Sequence, residues 1–391
     1  MDFSIAQIIT SDFWMNFFLI TDKILFAFYL LSVGYLFFFA IASTLSKKQT
    51  YPESSSHRRF ALFFFVQHGG IRFLDTLNTF LDQEYPRDCY DLIVVFNPVL
   101  QPIYDDISQY PVKRILTDSN HYTKAEAIRF AVNHFSKDNY DVAIIMNDIS
   151  IVPPRFITEI NNALALHPHS ALQVHRSAYH LDTDIALFGA VSEEINNSIF
   201  RRGHVNVGLS SGLTGSGMVI NFAWLKSNID LIQGLDLEKG LEMLLLEQYV
   251  FIDYLEQIDF KEMKVARVEE FSVQRRSWIS NQAKSLKLML AKFPIAVVQG
   301  NYDYCNKVFQ WLLPSRIILV GTLVMIVVMF TFIAWGMAIK WIALLLLLII
   351  SFSIALPDHF IDGRFVRAIR GAPVLFLVTV VEMLIKKRKK F

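Results

Sequence analysis

Long apolar runs flank a middle region of mixed polarity. The first run, residues 24–44, contains no charged residue and has the roughly 20 residues that a helix needs to cross a bilayer. Two further runs, residues 317–337 and 341–356, are separated by Lys340. We expect one N-terminal membrane helix and a C-terminal helical hairpin, with Lys340 and Trp341 at the membrane interface.

The basic residues near these runs predict an orientation. They follow the first run and the hairpin, at Lys47, Lys48, Arg58 and Arg59 and at Arg364, Arg367 and Arg370. Because Lys and Arg are enriched in cytoplasmic loops, we expect a multi-pass protein of the inner (cytoplasmic) membrane whose middle region faces the cytoplasm. Residues 372–385 are short for a span and end in basic residues, which favours a helix on anionic membrane lipid; a fourth span is the alternative.

The middle region alternates strand-like and helix-like patterns. Strands are predicted at residues 60–66, 91–96 and 142–146, and helices at residues 71–83 and 124–135. Strands separated by helices predict an α/β fold with a mostly parallel sheet covered on both faces. Apolar positions at 286–312 predict interface helices lying on the membrane rather than in a core.

The expected domains follow from these patterns. They are a membrane segment at 1–50, an α/β domain at 51–285, interface helices at 286–315, a transmembrane hairpin at 316–356 and a cytoplasmic loop, interfacial helix and basic tail at 357–391.

Composition removes some functional classes. The net charge is +1, so bulk electrostatics do not suggest a nucleic-acid partner. Cys89 and Cys305 lie far apart and match no metal-binding spacing. The core of the hairpin carries no ionisable residue, which disfavours a channel or transporter.

Ligands of parallel sheets bind beyond the carboxyl ends of the strands, so the polar residues that follow the predicted strands are candidates. These residues are Gln67 and His68, Asn97, and Asn147 and Asp148. Further along, the turn Gly215-Ser216-Gly217 would let the backbone approach a ligand closely. An Arg pair beside Trp278, at Arg275 and Arg276, suits a phosphate and a stacked ring.

The order of these motifs resembles the family 2 glycosyltransferases, in the membrane-embedded branch with cellulose and hyaluronan synthases. The stretch EEINNSIFRRGH at 193–204, followed by GLS at 208–210 and TGSG at 214–217, is similar to one bacterial group of that branch. The resemblance implies a GT-A fold, cytoplasmic catalysis and inverting transfer from a nucleotide sugar, UDP-linked in most of the family. It also implies a glycan or lipid-linked acceptor in the synthesis of cell-envelope polysaccharide.

The resemblance also implies roles for residues. Glu238 would be the catalytic base, with Asp236 as the next candidate, and Asp148 would hold Mg²⁺ or Mn²⁺. The nucleotide sugar would contact Gln67, His68, Asn97, Lys124, Asn147 and Asp148. The acceptor or the diphosphate would contact Gly215, Ser216, Gly217, Gln274, Arg275, Arg276 and Trp278.

The chain departs from the family pattern at charged positions. The metal-binding Asp-x-Asp falls on Asn147-Asp148-Ile149, and the arginine of Gln-x-x-Arg-Trp falls on Ser277. Such groups are each worth about 2–4 kcal/mol in a transition state. Two hypotheses therefore stay open: an active transferase with an altered site, or a degenerate one that binds a partner glycosyltransferase, a lipid or a glycan.

Overall fold

The structure is a computed structural model that describes residues 2–45, 50–66, 71–118, 122–167, 171–179, 181–264, 267–361 and 363–384. The helices are α1 (Asp2–Thr44), α2 (Ile71–Leu81), α3 (Gln101–Asp106), α4 (Lys124–His134), α5 (Phe156–Leu166), α6 (Asp184–Asn196), α7 (Gly203–Asn206), α8 (Phe222–Asn228), α9 (Leu237–Glu247), α10 (Val268–Val298), α11 (Tyr302–Leu312), α12 (Arg316–Ile333), α13 (Trp335–Ala355) and α14 (Gly363–Leu384). A π-helical segment, Asn197–Arg202, joins α6 to α7.

The strands form a single mixed sheet in the order β3-β2-β1-β4-β7-β6-β8-β5. They are β1 (Phe60–Val66), β2 (Tyr90–Phe96), β3 (Lys113–Leu116), β4 (Val142–Asn147), β5 (Ser150–Ile151), β6 (Ala171–Tyr179), β7 (Met218–Asn221) and β8 (Ile252–Met263). The strands and helices predicted in the middle region are thus confirmed, with ends that differ by a few residues.

The prediction of a mostly parallel sheet holds for one half of it. Strands β3, β2, β1 and β4 are parallel, whereas β7 is antiparallel to both β4 and β6. The chain enters β7 from a turn in which Gly217 donates its N–H to the carbonyl of Ile145 at 2.9 Å. This turn sends β7 back along β4, so the other half of the sheet is mixed.

Both faces of the parallel half are buried, which explains its almost wholly apolar strands. Alternate residues of β1 enter two separate cores: Phe63 packs with Ile128 of α4 on one face, and Phe64 packs with Phe73 of α2 on the other. The register pairs Val66 with Phe96 of β2, and Phe65 with Asn147 of β4. The carboxyl ends of these strands therefore meet at one edge of the sheet.

Three helices among the described residues are long and apolar enough to cross a membrane: Trp14–Thr44 within α1, Arg316–Ile333 and Trp335–Ala355. The first begins before the predicted residue 24. The hairpin breaks at Ala334 and not at Lys340, because Lys340 has a partner that lets it remain inside α13. Helix α14 is not among these candidate spans, and its place at the membrane interface stays a prediction.

An ion pair links the first and third of these helices. The buried carboxylate of Asp22 in α1 pairs with the ammonium of Lys340 and accepts a 3.1 Å hydrogen bond from Trp341 Nε1. Lys340 is the sixth residue of α13, near the start of that helix, and its place at the membrane interface stays a prediction. The charge is paired, as charges in apolar surroundings must be.

Helices α10 and α11 belong to the core of the α/β domain, contrary to the expectation for residues 286–312. Met289, Tyr304 and Trp311 are buried in the same cluster as Phe63. Helix α10 also runs without interruption across the predicted boundary at residue 285. One face of these helices covers the sheet domain, whereas Leu288, Leu290, Ile295, Val297 and Val298 stay exposed on α10, and contact of that face with the membrane stays a prediction.

We predict that Lys340→Met destabilises the protein by about 1–3 kcal/mol, because it leaves the carboxylate of Asp22 buried without its counter-charge. Asp22→Asn combined with Lys340→Met should recover much of the loss, since no charge is then left unpaired. Thermal melting of the detergent-solubilised chain measures both variants. A double variant that melts below the single Lys340→Met variant contradicts this account.

Candidate active site

Three elements bring polar groups together at the carboxyl edge of the parallel strands. Lys124 is the first residue of α4, Asn147 ends β4, and Gly215 lies in the turn before β7. The ammonium of Lys124 donates to Asn147 Oδ1 at 2.7 Å and to the carbonyl of Gly215, and it lies 3.7 Å from Glu238 Oε1. We call Lys124, Asn147, Gly215 and Glu238 the lysine cluster.

A capping box fixes the start of α4 and hence the position of Lys124. Thr123 accepts a hydrogen bond from the N–H of Glu126, and the carboxylate of Glu126 accepts one from the N–H of Thr123 at 2.8 Å. These reciprocal bonds satisfy two of the donors that a helix start leaves free. The helix therefore begins at one defined residue, with Lys124 at the strand ends.

Asn147 connects Lys124 to a second carboxylate. Its Oδ1 accepts from Lys124, while its Nδ2 donates to Glu262 Oε1 at 2.6 Å. Its backbone N–H donates to Ser216 Oγ at 3.1 Å. An aspartate could accept from Lys124 but could not donate to Glu262, and it would repel that carboxylate. The asparagine thus matches its surroundings.

Glu262 belongs to a buried network of ion pairs that no local sequence pattern predicts. Arg176 bridges Glu262 Oε2 at 2.7 Å and Glu193 Oε2 at 2.5 Å, and Arg201 and Lys264 bind Glu193 at 2.9 and 3.4 Å. Burial opposes ionisation of Glu193, yet Arg176, Lys264 and Arg201 together hold its pKa well below the ordinary value. The EEINN stretch therefore connects α6 to the sheet, because its first residue, Glu193, binds Arg176 of β6.

Burial lowers the pKa of Lys124 below its ordinary value, while the carboxylates of Glu238 and Glu262 act in the opposite direction. Asp148 also favours the charged form, and Arg176 disfavours it. The ammonium is therefore poorly solvated, and an incoming anion would stabilise it.

Glycine is required at position 217 of the turn, and at position 215 it leaves room for the side chain of Glu238. A Cβ at position 215 would lie 2.6 Å from Glu238 Oε1, and one at position 217 would lie 2.5 Å from the ring of Phe260. Gly217 also has a φ of +73°, which favours glycine. The turn lets Glu238, in the first turn of α9, come close to Lys124.

The alternative base, Asp236, is held by another group. It precedes α9 and accepts a 2.5 Å hydrogen bond from Asn281 Nδ2 of α10. Burial and the neighbouring Glu238 raise its pKa. Glu242, one helical turn further on, is buried and binds Lys307 at 3.0 Å, so it has a structural role.

The predicted arginine pair diverges because adjacent helical residues point in different directions. Arg276 binds Glu382 of α14 through Nε at 2.5 Å and Nη2 at 2.9 Å, and its expected role at a diphosphate stays a prediction. Arg275 stacks over Phe271 at 5.1 Å and over Trp278 at 5.3 Å. Gln274 is exposed, and Trp278 is 38% exposed.

Of the remaining candidate residues, two lie outside the described ranges and two lie inside them. Gln67 and His68 lie outside the described residues. Asn97 follows β2, and its Oδ1 is buried without a hydrogen-bond partner in the part of the chain that the structure describes. Asp148 is buried, and its backbone carbonyl accepts from Thr76 Oγ1 at 3.2 Å.

The described residues at the strand ends do not fit a divalent metal. Among the described residues, no group of three or more His, Cys, Asp or Glu is arranged to hold one. The strand end that would carry the metal-binding aspartates offers Asn147 and Ile149 instead, with the ammonium of Lys124 bound to Asn147. The expected assignment of Mg²⁺ or Mn²⁺ to Asp148 thus finds no supporting ligands.

A separate cavity of about 480 Å³ lies where β6, β8 and α6 meet the end of the hairpin. His175, Glu194, Tyr254 and Asp259 line it, together with Phe360 beyond α13. None of the residues of the lysine cluster lines it. Burial is the main reason that the pKa of Glu194 rises to about 7, and the neighbouring Glu193 adds to it.

No protein-family model and no curated protein sequence matches this chain. Among solved structures, it is similar to the mannosyltransferase PcManGT from Pyrobaculum calidifontis, in complex with GDP-Man and Mn²⁺, with a TM-score of 0.60. The likeness covers 94% of this chain and 99% of the other, at 11% identity. The chain has a glycosyltransferase fold. The expected GT-A-type α/β domain with membrane helices is thereby confirmed.

Two structures of S. aureus TarS are less similar. The TM-scores are 0.36 for one and 0.37 for residues 1–349 in complex with UDP, at 12% and 11% identity. They cover 56% and 57% of this chain, which spans 38% and 65% of theirs. Likeness at this level carries no argument about function.

We predict that the contribution of Glu194 to the stability of the protein falls as the pH rises from about 5 to about 7, whereas buried His204, whose pKa is lowered to about 3, contributes in the opposite direction. In this window Glu194 keeps its proton in the folded state and loses it in the unfolded state, so raising the pH favours unfolding by about 1–3 kcal/mol. Glu194→Gln should remove this part of the pH dependence. The substitution leaves the neighbouring titratable residues His175, Glu193 and Asp259 unchanged.

Melting temperatures at pH 5 and pH 8 provide the measurement. Glu53→Gln is the matched control, because the side chain of Glu53 is 84% exposed. If the melting temperature changes between pH 5 and pH 8 by the same amount in Glu194→Gln and in the parent, Glu194 does not make the predicted contribution.

Proposed function

We propose that the protein is a membrane-bound glycosyltransferase that transfers a sugar, with inversion, from a nucleotide-sugar donor to an acceptor hydroxyl. The observation that carries this proposal is the lysine cluster. It places one cation and one carboxylate side by side at the strand ends of a glycosyltransferase fold. A cation suits a leaving diphosphate, and a carboxylate suits an acceptor proton.

In the proposed reaction Glu238 is the general base. Its carboxylate takes the proton of the acceptor hydroxyl as that oxygen attacks the anomeric carbon. The bond from the anomeric carbon to the diphosphate oxygen breaks, and its electron pair leaves with the diphosphate. Gly215 lacks a side chain that would separate Glu238 from the reacting atoms. Asp236 is the weaker candidate because Asn281 holds it.

The nucleobase is proposed to bind beside Asn97. Its Oδ1 is an acceptor that lacks a donor among the described residues, and an unpaired buried acceptor is unfavourable. Uracil presents an N–H donor in its ring, and so does guanine. We propose a UDP-linked donor, with a GDP-linked donor as the alternative suggested by the GDP-Man in the PcManGT structure.

The acceptor is proposed to be a glycan or a lipid-linked glycan of the cell envelope, glycosylated at the cytoplasmic face of the inner membrane. Three candidate spans give the chain contact with membrane lipid. The partly exposed Trp278 in α10, with Arg275 stacked on it, offers an aromatic face to a sugar ring.

The second candidate function is a binding subunit without turnover. It is favoured by the replacement of the metal-binding aspartates at Asn147 and Ile149 and by the hydrogen bonds that already engage Lys124. Such a subunit would bind a nucleotide sugar, a glycan or a partner glycosyltransferase. A transfer assay over a panel of UDP- and GDP-sugars separates the two functions, since this candidate requires binding with no product.

We predict that Glu238→Gln lowers the transfer rate by about 10²–10⁴-fold, because an amide cannot accept the acceptor proton. Affinity for UDP or GDP should change little, since the amide retains the size of the carboxylate. Single-turnover transfer and nucleotide binding are measured on the same preparation. Equal turnover in the parent and in Glu238→Gln removes Glu238 from this role.

Two further variants sharpen this experiment. Glu247→Gln, at the other end of α9 and paired with Lys292, is the control that should leave the rate unchanged. Asp236→Asn tests the alternative base. A large loss in Asp236→Asn with full activity in Glu238→Gln transfers the role to Asp236.

A further inference from the structure

The ammonium of Lys124 occupies a site built from oxygen atoms. Asn147 Oδ1 and the carbonyl of Gly215 accept its hydrogen bonds, and Glu238 Oε1 lies 3.7 Å away. Glu262 and Asp148 also stabilise its charge. Amide, carbonyl and carboxylate oxygens are the ligands that hard divalent cations prefer. The ammonium of Lys124 lies among these oxygen atoms, where such a cation would bind.

A metal ion at this place would meet opposition from two sides. It would lie within a few ångströms of a like charge, Lys124, in a poorly solvated pocket. The carboxylate of Glu262 is also already engaged, because Arg176 holds it at 2.7 Å and Asn147 at 2.6 Å. No alternative group of three acidic or imidazole ligands exists among the described residues.

The identity of residue 147 agrees with a resident lysine. The neutral amide accepts from Lys124 with one atom and donates to Glu262 with the other. An aspartate here would add a carboxylate beside Glu262, which a metal would have to neutralise. The replacement of the metal ligand and the position of the lysine are therefore parts of one arrangement.

We propose that Lys124 is the resident cation of the donor site, so that the protein binds its nucleotide diphosphate without a divalent metal. This inference rests on the proposed function. When the donor binds, the ammonium moves its hydrogen bonds from Asn147 and Gly215 to diphosphate oxygens. Glu238 then loses its nearby counter-charge and is free to accept the acceptor proton. The charge that develops on the leaving diphosphate is met by the ammonium.

Nucleotide binding to the full chain in detergent tests the proposal. Calorimetry with UDP and with GDP is run in buffer containing EDTA and in buffer containing Mg²⁺ or Mn²⁺ at matched ionic strength. We expect dissociation constants that agree within about threefold in the two buffers. Lys124→Met should weaken binding by about 10–100-fold in EDTA, the range for losing a hydrogen bond to a charged group.

Control variants separate the charge from general damage. Lys124→Arg keeps the cation and should bind without metal, more tightly than Lys124→Met. Lys226→Met removes an exposed lysine of α8 that binds the carbonyl of Ser136, and it should bind as the parent does. Melting temperatures confirm that each variant is folded. Equal affinity in Lys124→Met and the parent overturns the proposal.

The outcomes distinguish this inference from the proposed function. Binding to the parent that requires Mg²⁺ or Mn²⁺ and disappears in EDTA overturns the resident cation and leaves the glycosyltransferase standing. The absence of UDP and GDP binding in every buffer overturns the proposed function, and the inference with it.

A reciprocal variant gives a readout that does not depend on nucleotide. Asn147→Asp and Ile149→Asp in the Lys124→Met background restore the two metal-binding carboxylates and remove the ammonium. We expect this triple variant to bind Mn²⁺, detected as loss of the free-ion signal in electron paramagnetic resonance, whereas the parent leaves that signal unchanged. Stoichiometric Mn²⁺ binding by the parent, abolished by Glu238→Gln, contradicts the proposal.

Discussion

The arrangement of side chains at the strand ends depends on a series of buried hydrogen bonds and ion pairs. It runs from Lys124 through the amide of Asn147 to Glu262, Arg176 and Glu193. Removing water from a charge is unfavourable by several kcal/mol, so each member is tolerated because its neighbours compensate for it. The lysine cluster, the sheet and helix α6 are therefore connected by hydrogen bonds and ion pairs.

These connections give the unusual residues of the site a physical reason. Compared with a family motif, Asn147 and Ile149 are two lost carboxylates. In their surroundings, the asparagine is the residue whose two amide atoms satisfy both a donor and an acceptor. The site therefore has a consistent arrangement of hydrogen bonds, whether it turns substrate over or binds it.

The parts of the structure that local sequence patterns specify could be predicted, and the parts that depend on distant partners could not. The apolar run Phe60–Val66 by itself indicates a buried strand. The glycines at 215 and 217 by themselves indicate a close turn. Nothing near Asp22 indicates Lys340, and nothing near Arg276 indicates Glu382. Periodicity predicts the apolar face of α10 but does not distinguish a lipid surface from the sheet domain that this helix covers.

The double role of Asn147 has a consequence for the history of such a site. A single replacement by aspartate would place two carboxylates side by side while the lysine still occupied the space for a metal. A single loss of the lysine would leave Glu238 without its nearby cation. For the proposed metal-free site, each of these single replacements is unfavourable by itself, so the change to a metal-bound site requires both replacements together.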